Sequence, residues 1–325
     1  MPFVNNFVVG CDPEFAVVGK DGIIIRPDLP ATGQVGLDGG GDLLEFRPAP
    51  SKSTWTVLKR LKWLMQHTRL RKYADAKWRG GAWLEGQQKL SDSYLRDVTF
   101  SIGGHIHLDV EPDPACYGND DNREDESSPD LRTVALDSLT QTLEILQILP
   151  KETAVRRDNG SYGKYSAQRA NDAGGREHME YRTMPSWLYH PVAAYLCLTG
   201  AKLAVVAPER TIEGLNPARA SLARLKDWYG SFAGKDTDAQ RAVEMCLADK
   251  SAKDLTFDPD VDFKETWRAV PSVTRRDNEP QIVEQQQVAT EPAQSYYLSN
   301  TVQSHLYNIL LGSTQTLSSN VNSAP

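Results

Sequence analysis

The chain has 325 residues, 40% of them hydrophobic, which is enough for one large folded domain or two modest ones. Its formal net charge of −7 gives no overall positive field for phosphates, so nucleic acid is not the default partner. The four cysteines form no Cys-x-x-Cys pair, which argues against a zinc knuckle or a disulfide scaffold and favours a reducing cytoplasm. No signal peptide and no apolar run of about 18 residues is evident, so we expect a soluble protein without a membrane partner.

The hydrophobic patterning predicts strands scattered among helices. Because the strands and helices do not alternate as regular βαβ units, the pattern favours an α+β fold on a largely antiparallel sheet. The predicted strands are residues 7–18, 22–25, 43–47, 98–110 and 178–184, and the predicted helices are residues 54–73, 130–149, 192–206, 217–229 and 238–248.

The segments between these elements suggest how the chain is organised. Residues 36–41 are too glycine-rich for regular structure, and residues 111–130 are an acidic stretch that we interpret as an exposed loop. Beyond about Val273 the composition shifts to Gln, Ser, Thr and Asn. We therefore expect a domain over residues 1–272 and a polar tail or docking arm over residues 273–325.

Four acidic residues lie in strand-like, partly apolar stretches, where an unpaired carboxylate would be costly to bury. They are Asp12, Glu14, Glu45 and Glu180. Salt bridges to Arg47, Arg169 or Arg182 would account for any one of these acids. That explanation weakens when the four are considered together.

Two histidines in one predicted strand add a second type of metal ligand. His105 and His107 are two residues apart and therefore project from the same face of the strand. A strand histidine can also be a satisfied core residue, but the preceding Gly103-Gly104 would let a ligand approach the backbone closely. Carboxylates with one or two imidazoles suit Mg²⁺ or Mn²⁺, whereas zinc would prefer more His or Cys.

Basic residues crowd the polar stretch 156–175 and the strand after it. Solvated loop charges would explain some of them, but Arg182 lies in a strand beside Glu180. Guanidinium groups bind phosphates and carboxylates in a bidentate manner, so a metal cluster facing arginines indicates phosphoryl chemistry.

Taken in chain order, these motifs resemble the glutamine synthetase-like carboxylate-amine ligases, and most closely the phage phiEco32-like COOH·NH2 ligases of type 2. The resemblance spans about residues 7–200. It is carried by Asp-Pro-Glu at 12–14, Gly-Asp-Leu-Leu-Glu-Phe-Arg-Pro at 41–48, Gly-Gly-His-Ile-His at 103–107, an arginine and tyrosine loop at 156–169, and Glu-Tyr-Arg-Thr-Met-Pro-Ser-Trp at 180–187.

The resemblance implies a curved, largely antiparallel sheet of the glutamine synthetase type, with helices on its outer face and Mg²⁺ and ATP on its concave face. The implied metal-binding residues are Glu14, Glu45, His105 and Glu180, with Asp12 as an addition. The implied catalytic residues are Arg169 and Arg182, which match positions that hold phosphate or the substrate carboxylate. From neighbourhood alone we assign His107, Arg156, Lys164 and Tyr165, together with Arg169, to ATP, and Arg47 with Arg182 to the substrate.

These expectations describe an ATP-dependent ligase that forms an amide bond through an acyl phosphate, using Mg²⁺ or alternatively Mn²⁺. Its partners would be a small-molecule or peptide carboxylate and an amine, in the cytoplasm, or in the host cytoplasm if a phage encodes the protein. Assembly into a homo-oligomer is compatible with this hypothesis. Two alternatives stay open: a metal-dependent hydrolase, and an inactive phage structural or assembly protein on the same fold.

Overall fold

The computed structural model describes residues 7–38, 41–91, 94–110, 131–150, 168–172, 177–247 and 255–273. All of them lie within one structural unit, 1–280. The strands are β1 (Val9–Val18), β2 (Ile24–Ile25), β3 (Val35–Leu37), β4 (Leu44–Phe46), β5 (Lys77–Arg79), β6 (Trp83–Ser91), β7 (Tyr94–Ser101), β8 (Gly104–Leu108), β9 (Gln168–Asp172) and β10 (Glu177–Tyr181). The helices are α1 (Thr54–Met65), α2 (Leu131–Ile145), α3 (Pro191–Val206), α4 (Pro208–Gly214), α5 (Leu222–Ala233), α6 (Thr237–Arg241) and α7 (Phe263–Thr266).

The ten strands of the described residues form one curled sheet. Seven of them lie side by side in the order β7-β6-β2-β1-β8-β10-β9. Strand β1 also pairs with β4 and β5, and β4 pairs with β3. All of these pairs are antiparallel except β2 with β6. The predicted α+β class with a largely antiparallel sheet is therefore confirmed.

One face of the sheet is apolar and packs on helices. Phe15, Phe46, Ile106 and Tyr181 are buried, and they share one hydrophobic core with residues of α1, α2 and α3. Because side chains alternate along a strand, the strand residues directly before and after each of these four point to the opposite face. Helix α3 is buried along most of its length, as its nearly continuous apolar sequence requires. Among the described helices, none has both the length and the apolar character needed to cross a membrane.

The predicted strand over residues 98–110 is wrong because two strands meet there. Ile102 donates its amide to Ala82 in the β5–β6 connection, whereas Gly104 donates its amide to Met184 beyond β10. The chain therefore changes partners between β7 and β8. By contrast, the predicted hairpin at the N-terminal end of the sheet is confirmed, with Gly22 at a φ of +80° in its turn.

The glycine-rich stretch also differs from its prediction. Residues 35–37 form β3, in which Gly36 pairs with Glu45 of β4. A Cβ atom at Gly36 would lie 2.5 Å from the Pro30 carbonyl oxygen, so the absence of a side chain lets the preceding loop pack against the strand. Residues 168–172, predicted as part of a loop, form β9. Strands β5 and β6 have no predicted counterpart.

Several predicted helices end early or begin late. Helix α1 stops at Met65 because His67 adopts an extended conformation and its Nδ1 accepts the amide of Arg69, which starts a 3₁₀ helix at 68–73. Helix α2 ends at Ile145, before Gln147 takes a positive φ of 59°. Residues 217–219 are a 3₁₀ turn ahead of α5, and residues 242–247 form a π-helical turn after α6. The predicted acidic loop 111–130 and the tail beyond Val273 lie outside the described residues.

A buried ion cluster ties α1 to α3 and α6. Lys202, 2% exposed within apolar α3, places its Nζ 2.7 Å from Asp236 Oδ2 and 3.3 Å from Asp238 Oδ2. Asp238 accepts the amide of Thr54 at 3.0 Å and the hydroxyl of Ser53 at 2.9 Å. The N-terminus of α1 is therefore capped by a carboxylate from a distant helix, and Ser53 makes no cap bond of its own.

We predict that Lys202→Met lowers the free energy of unfolding by about 3–5 kcal/mol, because two carboxylates would stay buried without their cation. Urea unfolding followed by circular dichroism measures this change. Lys235→Met, at an exposed position, is the matched control and is expected to change stability by less than about 0.5 kcal/mol. Equal stabilities of the two variants would contradict the structural role of the cluster.

Candidate functional site

Cross-strand pairing brings the predicted metal ligands to one face of the sheet. The pairs are Asp12 with His105, Glu14 with Glu45, and Glu180 with His107. Directly opposed residues of antiparallel strands project to the same side, and so do residues two apart on one strand. These six side chains therefore share the face opposite the helix-packed core.

Asp12 lies between the two imidazoles. Its Oδ1 is 3.1 Å from His107 Nε2 and 3.5 Å from His105 Nδ1. The same His105 Nδ1 is 3.6 Å from Glu180 Oε1, and His105 Nε2 is 3.9 Å from Glu14 Oε1. His105 thus stands at the centre of three carboxylates from two neighbouring strands.

Two arginines pair with acids at the edge of this cluster. Arg47 binds Glu45 in a bidentate manner, with Nε 2.7 Å from Oε1 and Nη2 2.9 Å from Oε2, and it also donates to the carbonyls of Gly33 and Leu37. Arg182 pairs with Glu180 through Nη1. Salt bridging therefore accounts for part of the compensation of Glu45 and Glu180, whereas Asp12 is compensated by imidazoles.

The electrostatics of the cluster reflect burial and crowding. Burial alone would raise the pKa of Asp12, but the imidazoles of His105 and His107 outweigh it and hold that pKa well below its usual range. Burial and then the charge of Asp12 raise the pKa of Glu45 to about 9, against the opposing effect of Arg47. Burial would lower the pKa of His107, yet Asp12 raises it above the ordinary value. Crowding with Asp12 and the other acids thus disfavours the charged form of Glu45, despite its contact with Arg47.

This donor set fits a divalent cation. One ligand atom from each of Asp12, His107 and Glu180 lies within 4.8 Å of the others. Asp12 Oδ1 is buried, and among the described residues it has no hydrogen bond of normal geometry. A bound cation would give this oxygen a partner, and carboxylates with imidazole suit Mg²⁺ or Mn²⁺. The imidazole of this group is His107, which the sequence assigned to ATP, while His105 lies beside it.

Gly104, directly before His105, has a different role from the expected one. A Cβ atom at Gly104 would lie 2.3 Å from the Pro185 carbonyl oxygen and 2.7 Å from Trp187 Nε1. The chain itself, rather than a ligand, thus approaches Gly104. Gly103 donates its amide to Glu14 Oε2 at 2.6 Å and so orients that carboxylate.

A further acid, Asp38, was missed in the sequence. Its amide donates to the Leu43 carbonyl at 3.1 Å, which continues the β3–β4 ladder by one pair. Being two residues from Gly36, the partner of Glu45, Asp38 lies on the face of the site and its charge also raises the pKa of Glu45. The glycines around Asp38 argue against regular structure, so the sequence gives no strand pairing that would place this acid in the site.

The remaining predicted residues are less fully described. The backbone of Arg169 in β9 lies opposite that of Glu180 in β10. Arg156, Lys164 and Tyr165 lie outside the described residues. Their assigned roles stay predictions.

Comparison with known proteins agrees with the resemblance seen in the motifs. Residues 9–122 match the family described as phage phiEco32-like COOH.NH2 ligase-type 2. This range contains Asp12, Glu14, Glu45, His105 and His107, but it ends before Glu180. No curated protein matches the chain.

Two solved structures are similar to parts of the chain. One is a bifunctional glutathione synthetase from Pasteurella multocida, with 14% identity and a TM-score of 0.40 over 82% of this chain. The alignment covers 49% of that protein, so the chain spans about half its length. The other is a novel glutamine synthase homolog, with 14% identity, a TM-score of 0.36, and coverage of 77% of this chain and 69% of that one.

We predict that Gly104→Ala lowers stability by about 1–3 kcal/mol, because the new methyl group would overlap the Pro185 carbonyl. Gly230→Ala is the matched control, since a Cβ atom there meets nothing within 4 Å and the residue lies inside α5. In the helix this second change should stabilise the protein by about 0.5–1 kcal/mol. Thermal unfolding of both variants measures the contrast, and the same sign for both would contradict the packing described.

Proposed function

We propose that the protein is an ATP-dependent carboxylate-amine ligase that uses Mg²⁺ and forms an amide bond through an acyl phosphate. The carrying observation is the convergence of Asp12, Glu14, Glu45 and Glu180 with two histidines on one sheet face. The family match over residues 9–122 supports the reaction class. We assign the activity to residues 1–272, in the cytoplasm, with residues 273–325 as a docking arm that could join copies of the chain.

The proposed chemistry explains why both acids and arginines are needed. A carboxylate is a poor electrophile, so one of its oxygens attacks the γ-phosphorus of ATP and ADP leaves. The amine then attacks the acyl carbon, and phosphate leaves with that oxygen while the amine loses a proton. Divalent cations, when bound, would neutralise the triphosphate and orient its γ-phosphoryl group.

The residues of the chain divide these tasks by charge. Asp12, His107 and Glu180 supply the group of ligand atoms within 4.8 Å of one another. Glu14, Glu45 and His105 extend the ligand set along β1 and its partners, with Asp38 beside Glu45. Arg182 flanks the centre at Glu180 and is the described guanidinium best situated to contact a transferring phosphoryl group or a substrate carboxylate.

The remaining predicted residues complete this proposal. Arg169, the register partner of Glu180, is assigned with Arg182 to the transferring phosphoryl group. Arg156, Lys164 and Tyr165 are assigned to ATP. Arg47 is assigned to the substrate, and through its ion pair with Glu45 it would also orient that proposed metal ligand.

The decisive experiment is to incubate the protein with Mg-ATP and pooled carboxylates and amines, and to measure ADP and new amide masses. We expect ADP release to depend on both pools and on Mg²⁺. With an ¹⁸O-labelled carboxylate, one label should appear in the released phosphate, because an acyl phosphate transfers that oxygen. Zinc-dependent turnover without ATP would instead indicate a hydrolase and overturn the proposal.

Glu180→Ala is expected to reduce ATP turnover by more than about 100-fold while the protein stays folded, because it removes a buried ligand beside His105 and Arg182. Glu209→Ala, at an exposed position of α4, is the matched control and should keep wild-type turnover. Steady-state kinetics and a circular dichroism spectrum measure the two effects. Wild-type activity of Glu180→Ala would contradict the assigned role.

A further inference from the structure

The residues that follow β10 bridge two other segments, with Pro185 paired to Gly103 and Ser186 paired to Gly81. We refer to residues 184–187 as the crossing segment. Its Met184 carbonyl accepts the amide of Gly104, and its Trp187 Nε1 donates to the Gly104 carbonyl at 3.0 Å. The segment therefore holds the start of β8, where the site histidines begin.

Ser186 of the crossing segment also reaches β1. It is fully buried, and its hydroxyl donates to the backbone carbonyl of Glu14 at 2.6 Å. Its amide donates to Gly81 at 2.9 Å and Ile102 at 3.1 Å, so the residue is held on both sides. A Cβ atom at Gly80 would lie 3.2 Å from the Ser186 hydroxyl, so the absence of a side chain at Gly80 leaves room for that hydroxyl.

Glu14 is thus fixed at both its backbone and its side chain. Its amide donates to the Gly103 carbonyl at 2.8 Å, and its Oε2 accepts the Gly103 amide at 2.6 Å. The other carboxylate oxygen, Oε1, lies 3.9 Å from His105 Nε2. The direction of the carboxylate therefore depends on where β1 and Gly103 lie relative to each other. Ser186 contacts both sides, since it bonds to Glu14 of β1 and to Ile102, next to Gly103.

We propose that Ser186 is a positioning residue for the cation centre, acting through the backbone of Glu14. This inference depends on the proposed function only in that Glu14 is a cation ligand. Ser186 contacts neither substrate nor cation. Its hydroxyl sets the position of β1 at Glu14 and so the position of the carboxylate, whose Oε1 lies 3.9 Å from His105 Nε2.

The test is Mn²⁺ binding to the protein alone, without nucleotide, measured by electron paramagnetic resonance of free Mn²⁺. Ser186→Ala removes the hydroxyl and is expected to raise the Mn²⁺ dissociation constant about 10-fold, the range seen when an outer partner of a ligand is lost. Ser138→Ala is the matched control, since the buried Ser138 hydroxyl donates to the Val134 carbonyl within α2 at 2.8 Å. That variant should bind Mn²⁺ like the wild type.

Glu14→Gln separates failure of this inference from failure of the proposed function. If Glu14→Gln weakens Mn²⁺ binding but Ser186→Ala behaves like Ser138→Ala, the positioning role is overturned and the cation centre stands. If Glu14→Gln binds Mn²⁺ like the wild type, Glu14 is not a ligand, and both the centre as proposed and the role of Ser186 fall. Should Ser186→Ala not fold, Ser186→Cys retains a weaker donor and should give an intermediate dissociation constant; a wild-type value would overturn the role.

Discussion

The register of β1 is the constraint on which the site depends. Asp12 and Glu14 are two residues apart, so both face away from the helices, while Cys11 and Phe15 are buried on the other side. A slip of one residue would drive both carboxylates into the apolar core and bring Phe15 out to the site, at a large cost in free energy. Because β1 pairs with β8 at Asp12 and with β4 at Glu14, the same register joins His105 and Glu45.

This arrangement brings several buried carboxylates close together. Burial and the charge of Asp12 raise the pKa of Glu45 to about 9. Burial would also raise the pKa of Asp12, but His105 and His107 lower it. Arg47 and Arg182 relieve part of the repulsion. Buried acids crowded in this way break the usual rule for a stable core, and natural proteins break such rules mostly at functional sites.

Much of the site could be predicted from the sequence because its signal is local. Acids and histidines at i and i+2 in apolar strands, such as His105 with His107, define a face before any pairing is known. What the sequence did not reveal depends on contacts between distant segments. The break between β7 and β8 results from Ile102 and Gly104 bonding to different segments. Asp38 follows strand β3, in which Gly36 leaves room for the loop that contains Pro30. The sequence around Ser53 likewise cannot predict that Asp238, a residue far along the chain, caps α1.

The position of β10 in the chain has a consequence for how the protein is made. Glu180 and the crossing segment complete a sheet whose central strand, β1, is the first element of the described residues, so the two sides of the site lie far apart in the sequence. Contacts of this separation form late and slow the folding of a domain. A chain that ended before Trp187 would lack the indole contact with the Gly104 carbonyl that holds the start of β8.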